Sequence, residues 1–426
     1  MPYTKIILQP VTFLCLCLCG QFLAAATHQV GFASLDITPS KAFIAEGKTF
    51  MGGYGVWTAR GPAKSVHDPL GASAICLSDT QENLCIVMLD SLGLPAHITQ
   101  RIAEKISQIT ALSADSIFIG ASHTHAAPDL IGLWGGVPDS YTDYLVNQAS
   151  RAVAEAYLNR EPANLFYSLA QGQAYNRRGW GFTDDTITVI EALAENGTQL
   201  GTVINFAAHP VVSRETNLGI SSDYVHYLRL KMQNLTDAPT IFINGAIGDV
   251  VPMQHRPLNE WRAAQEYGET IANAAFNALI GRKQIMPGIS IAHATFRTEV
   301  DNTVLALAHS LGIISAKSEG PPWSMTVESR VGVFSLGQQV QAVAVPGEAM
   351  TRLGRTIKLD MQAPAKLFLG LTGGSLGYFI PADEWQSDRN DNYEESVSMG
   401  KHIAAQIHTQ LRRMQSRQNP ISDSKN

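Results

Sequence analysis

With 426 residues, 45% hydrophobic and 16% charged, the chain has apolar material for one large buried core or two ordinary ones. That balance excludes a disordered polymer. A net charge of −6 without any basic cluster excludes a nucleic-acid-binding surface.

From the N-terminus, residues 1–26 read as an export signal. Lys5 gives a positive start, an apolar stretch runs from about Val11 to Leu23, and Ala24, Ala25 and Ala26 offer small residues for cleavage. The stretch is short for the ~20 residues of a membrane-spanning helix, so a cleaved signal is expected rather than an anchor. The mature chain is then exported, to the periplasm or the medium. Cleavage removes Cys15, Cys17 and Cys19 and leaves Cys76 and Cys85. These flank a polar turn, SDTQEN, between two apolar runs, AICL and LCIVMLD. Facing positions on such a hairpin suit a disulfide in an oxidising compartment; two buried thiols are the alternative. Without further thiols, zinc on this pair is not expected.

Strand character recurs along the rest of the chain, in LCIVMLD, SIFIGA, ANLFYSLA, TITVIEAL, GTVINFAA, PTIFING, ISIAHATF, VGVFSL, VQAVAV and AKLFLGLT. Several of these runs are continuously apolar, as in strands covered on both faces. Helical periodicity lies between them. Ile98, Ile102, Ile106 and Ile109 share one face, 139–158 opens on Asp/Ser capping chemistry, and Asn259–Ile280 stops at Gly281. Further helices are expected after Glu348 and over Tyr393–Met414. The fold expected is a layered α/β or α+β domain with a large sheet core flanked by helices and a site at the strand ends. Its extent is 27–415, with 416–426 a polar tail. Asn302–Trp323 is the least regular piece, either a flap beside a binding cleft or a plain surface excursion.

Apolar runs repeatedly end in polar residues. SIFIGA enters Ser122-His123-Thr124-His125, GTVINFAA enters His209-Pro210, PTIFINGAIG enters Asp249, VQAVAV enters Pro346-Gly347-Glu348, and AKLFLGLTGG leads to Tyr378. Rigid strands position such loop side chains. Imidazole nitrogen and carboxylate oxygen are ordinary zinc ligands, so His123, His209 and Glu348 form a candidate His2Glu set with a position left open. Positions i and i+2 of an extended segment face the same way, so His125 can enter the same cavity and handle a proton without being a ligand. The spacing is not the helical HExxH pattern.

These motifs, taken in order, resemble the amino-terminal catalytic domain of the neutral/alkaline, non-lysosomal ceramidase family. The similarity runs through GFASLDITPS, MGGYG, SHTHAAPD, NRR, NFAAHPVV, INGAIGDVVP, VPGEAMTRLGR, GYFIPADEW and NYEE. The resemblance implies zinc held by His123, His209 and Glu348, with Tyr378 close enough to count as a further candidate ligand. It implies His125 beside the reacting group, Arg177 in contact with substrate, and Tyr393 in the family's Tyr-Glu-Gly position, here Tyr-Glu-Glu. Arg178 could take the role of Arg177. Asp249 either orients a zinc-bound histidine or stabilises its turn.

Two departures bear on function. The family's GDVSP serine is Val251 here, so no step can use that hydroxyl. The family's usual carboxy-terminal β-sandwich does not follow the last helix in this sequence. The expected activity is hydrolysis of an N-acyl amide bond, in a small-molecule or lipid substrate such as an N-acyl-sphingosine, by zinc-activated water, with peripheral membrane contact. An esterase or lactonase on a non-lipid substrate, or a non-catalytic binding protein, are the alternatives.

Overall fold

The computed structural model describes residues 28–55, 60–255, 259–312, 314, 318–386 and 393–418. The expected export signal, with Cys15, Cys17 and Cys19, lies outside the described residues. Among those residues no helix is long and apolar enough to cross a membrane.

All ten apolar runs are strands, and they build two sheets. The larger has nine strands. Its order is Thr240–Asn244, Gln199–Phe206, Thr186–Ala194, Glu161–Gln171, His28–Asp36, Gly71–Ser78, Asn83–Leu89 and Ile117–Ala121, with Lys283–Ile285 also paired to Glu161–Gln171. Its outermost pairs are parallel and the inner ones antiparallel. The sheet curls, so that Asn244 on one edge donates its side-chain N–H to the Ser122 carbonyl beyond the other edge. The second sheet orders Ile289–Glu299, Thr326–Leu336, Val340–Ala344 and Ala365–Leu369, antiparallel except for the last, parallel pair.

Alternation along each strand divides the core into layers. Ile75, Ile86 and Phe118 of the first sheet meet Phe334, Ala342 and Leu367 of the second. The opposite side chains, Cys76 and Val87 among them, pack on helices Ala96–Ile109 and Asp139–Leu158. Elsewhere on that sheet Ile187 and Ile204 pack on Tyr224–Thr236 and Glu260–Ala278. Behind the second sheet, Val333 and Val343 pack on Thr351–Asp360 and Ile403–Gln418. The result is a helix–sheet–sheet–helix sandwich, the layered α/β architecture expected. Cys76 faces Cys85 across the hairpin, and the two are bonded (S–S 2.06 Å).

Several helical expectations need correction. Asp139–Leu158 is entered from Pro138 without a side-chain cap, because proline already fixes the backbone for the first turn. The last helix is broken: Tyr393–Ser396 is a short turn of helix, Gly400 lies at φ 129°, and Ile403–Gln418 carries the rest. It therefore runs into the stretch read as a polar tail. Asn259, by contrast, caps its helix through Oδ1, which accepts from the Arg262 N–H. Three helices were not anticipated, Lys41–Ala45, Tyr224–Thr236 and Thr303–Ser310.

Phe334 is 1% exposed, lies between the sheets and meets the Phe118 ring edge-on at 5.2 Å. Phe334→Ala should therefore cost about 3–5 kcal/mol, read as a lowered midpoint in denaturant unfolding with the slope unchanged.

Candidate metal centre

The strand Ile117–Ala121 ends at a backbone kink, with non-glycine His123 at φ 66°. Such strain at a strand end persists only where the surroundings hold it, and here they do. The Ser122 N–H donates to the Leu89 carbonyl, and the His123 Nδ1–H donates to the Leu92 carbonyl. His209 follows Gln199–Phe206, and its Nδ1–H donates to the Val250 carbonyl at 3.0 Å. Both rings are thereby fixed in the tautomer with Nε2 unprotonated.

Those two Nε2 atoms converge on one oxygen. Glu348 Oε2 is 3.2 Å from His123 Nε2 and 3.1 Å from His209 Nε2, while His125 Nε2 is 3.2 Å from His123 Nε2. All four residues are buried. Lone pairs packed this closely repel unless a cation or protons lie among them. Ligands 2.0–2.1 Å from a tetrahedral zinc are separated by about 3.3 Å, close to the spacing found. The donor set therefore fits a metal ion. The imidazoles of His123, His125 and His209 form a buried group able to hold one, their ligand atoms within 4.8 Å of one another. Glu348 adds a carboxylate.

Electrostatics agree. Burial lowers the His209 pKa to about 4, with the Glu348 contact opposing the shift, so the ring is neutral at pH 7. Burial also drives His125 well below its usual value, reinforced by His123 and His209. Burial would raise Glu348, but the two histidines outweigh it and hold the carboxyl well below the usual range.

Around this centre the other candidates separate. Tyr378 sits beside Glu348 in a short parallel strand pair, and its hydroxyl accepts from Arg177 Nη2 at 3.1 Å. Arg177 also donates to the Gly248 carbonyl and pairs with Glu394 at 2.9 Å. Arg178 shares Glu394 but also pairs with Glu395 at 2.8 Å, whereas Arg177 is the one bonded to Tyr378. Glu395, where the resemblance has glycine, is thus an ion-pair partner. Tyr393 packs against Tyr378 with ring centroids 5.9 Å apart.

None of the side-chain hydrogen bonds of Asp249 goes to the His209 ring. Its carboxylate accepts from the Thr351 N–H and hydroxyl at 2.7 Å each and from Asn176 Nδ2 at 2.5 Å. The neighbouring Val250 carbonyl holds the histidine instead. Val251 pairs with Tyr175 on a short ladder.

Glu348, Tyr378, Tyr393, His123 and His125 line a cavity, partly open to solvent, whose other walls are mostly apolar. Leu305 and His309 line it too, so the Asn302–Trp323 segment does flank a cleft.

Three positioning residues were not anticipated. Arg60 binds the main-chain carbonyls of Gly52, His125 and Asn217. Asp223 fixes the loop after His209 by accepting from the Val212 and Ser213 N–H groups. Gly53, at φ +90°, leaves room for a ring: a Cβ there would lie 2.5 Å from His125 Nδ1.

Fold and site together define a class: layered α/β proteins with a buried histidine–carboxylate centre at the strand ends. No family model matches the chain. It is 25% identical over 275 residues to the neutral ceramidase of Drosophila melanogaster, a match covering 55% of this chain and 37% of that one. The neutral ceramidase of Drosophila pseudoobscura pseudoobscura matches equally. The match thus spans little more than a third of these relatives. In fold, the chain is similar to the crystal structure of neutral ceramidase from Pseudomonas aeruginosa, with a TM-score of 0.78 at 15% identity over 93% of this chain and 75% of that one. A ceramidase complexed with C2 gives 0.76 at 14% identity over 94% and 77%. Sequence and fold together support the neutral ceramidase family, as the motifs suggested.

Gly53→Ala should displace the His125 ring and force a left-handed alanine. A lower melting temperature and at least tenfold weaker metal retention in equilibrium dialysis are expected, while Gly47→Ala, with nothing near it, should leave retention unchanged.

Proposed function

We propose that the protein is a zinc-dependent hydrolase of the neutral-ceramidase type that cleaves an N-acyl amide bond. The observation that carries this reading is the convergence of the His123 and His209 Nε2 atoms on Glu348 Oε2, at 3.2 and 3.1 Å, beside a largely apolar cavity. These three residues would hold the ion, with Tyr378 as a further candidate beside Glu348. Zinc bound there supplies a Lewis acid that polarises a carbonyl and makes water nucleophilic near neutral pH.

The chain's own groups supply the rest. His125, neutral at pH 7 and with no hydrogen-bond partner at Nδ1, can take a proton and return it to the leaving amine. The Tyr378 hydroxyl and the Arg177 guanidinium, already bonded to each other, place donors where charge develops on the carbonyl oxygen. Tyr393 forms the adjacent wall. Asp249 acts indirectly, by bracing the segment whose Val250 carbonyl fixes His209. No step requires a hydroxyl at Val251.

Apolar cavity walls support a lipid substrate, an N-acyl-sphingosine or similar amide, delivered by peripheral contact with a membrane. The Cys76–Cys85 bond supports an oxidising, extracytoplasmic location, in keeping with the export signal read at the N-terminus.

Purified protein should contain one zinc per chain, and His209→Ala or Glu348→Ala should lose it along with more than 10³-fold of the turnover. A folded wild type with no stoichiometric metal would sink the reading. A second measurement compares long-chain N-acyl amides with short amides, esters and lactones. Chelator-sensitive turnover of the long-chain amides is expected, whereas turnover of the esters or lactones alone would favour an esterase. Binding with no turnover at all would leave only a binding protein.

A further inference from the structure

His309 lies on the helix Thr303–Ser310, one turn beyond Leu305, and both residues line the cavity that holds the metal centre. The helix is firmly placed. Asn302 Oδ1 caps it by accepting from the Val304 and Leu305 N–H groups, and Asn302 Nδ2 donates to the Ser396 and Ser398 carbonyls beside cavity residues Val397 and Met399. The His309 ring is 8% exposed, yet neither Nδ1 nor Nε2 has a hydrogen-bond partner. Burial lowers its pKa, and the nearby Ile314 main chain opposes this without completing a hydrogen bond, so the ring is neutral at pH 7. A neutral imidazole has one donor and one acceptor. Buried polar groups are almost always satisfied, and one left open beside a cavity calls for a partner that the cavity can admit.

We propose that His309 is a ligand-recognition residue of this cavity, its imidazole receiving a hydroxyl group that the substrate carries away from the scissile amide. A hydroxyl both donates and accepts, so it can bond to whichever ring nitrogen faces the cavity, as donor to the bare nitrogen or as acceptor from the N–H. The inference rests on the reading that this cavity holds the substrate. It assigns His309 no part in bond cleavage. Chemistry stays at the metal centre, and His309 sets which amides fit.

The test uses zinc-loaded full-length protein and two ligands of equal carbon number, a long-chain N-acyl amino alcohol and the corresponding N-acyl alkylamine without the hydroxyl. Equilibrium binding and steady-state turnover are measured separately. Wild type should bind the hydroxylated ligand about tenfold or more tightly, because the alternative strands a buried polar group. His309→Leu, or His309→Phe if the first variant does not fold, should reduce the preference to about twofold or less. Zinc content and binding of the plain alkyl ligand should be unchanged. His309→Gln, which keeps a donor and an acceptor, should retain part of the preference. Equal binding by wild type, no binding of either ligand, or a preference that survives in the apolar variants would each overturn the proposal. The two readings fail separately. His309-dependent preference in binding without turnover would remove the hydrolase and keep this assignment, while turnover indifferent to the hydroxyl would do the reverse.

Discussion

Two imidazole nitrogens forced within 3.2 Å of one carboxylate oxygen are the constraint on which the site depends. Each imidazole is turned by a carbonyl, Leu92 for His123 and Val250 for His209, so that its unprotonated edge faces the Glu348 carboxylate. Left alone, such an arrangement is repulsive in a medium of low permittivity. Its persistence requires positive charge at the focus and rigid walls around it. The strained φ of His123, the four-donor grip of the Asp223 carboxylate and the Arg60 clasp on main-chain carbonyls supply those walls.

The apolar runs were legible because strands buried on both faces leave a compositional signature, and each of the ten became a strand. Helix Ala96–Ile109 was legible for a related reason, its isoleucines recurring at helical spacing. Tyr224–Thr236 was not, since its buried Tyr224, Val225, Leu228 and Met232 are interleaved with polar residues and its cap, Asp223, sits at positive φ. The break in the last helix escaped as well, because the segment around Gly400 is held by contacts distant in sequence. One of these is the Gly377 carbonyl region, whose glycine passes against Val397.

Within the site, the residues that face the cavity were readable and those that act on the backbone were not. His123, His209, Glu348 and Tyr378 announce themselves as polar groups at the ends of apolar runs. Arg60 works through main-chain carbonyls, and any sequence supplies those. Asp249 illustrates the limit from the other side. Its place in a strand-end motif was visible, but its partners, Thr351 and Asn176, could be learned only from the fold. Arg177 and Arg178 likewise share Glu394, and only the fold shows Arg178 held by Glu395 while Arg177 reaches Tyr378.

His123 and His209 leave the nine-stranded sheet, whereas Glu348 and Tyr378 leave its neighbour. His209 and Glu348 alone are 139 positions apart in the chain. An ion shared by these groups would act as a rivet through the seam of the sandwich, so occupancy would report on whether the two halves are seated together. Neither sheet by itself has the full ligand set. A fragment containing one of them would be inert however well it folded, and any slippage at the seam would be felt at the centre before it was felt anywhere else.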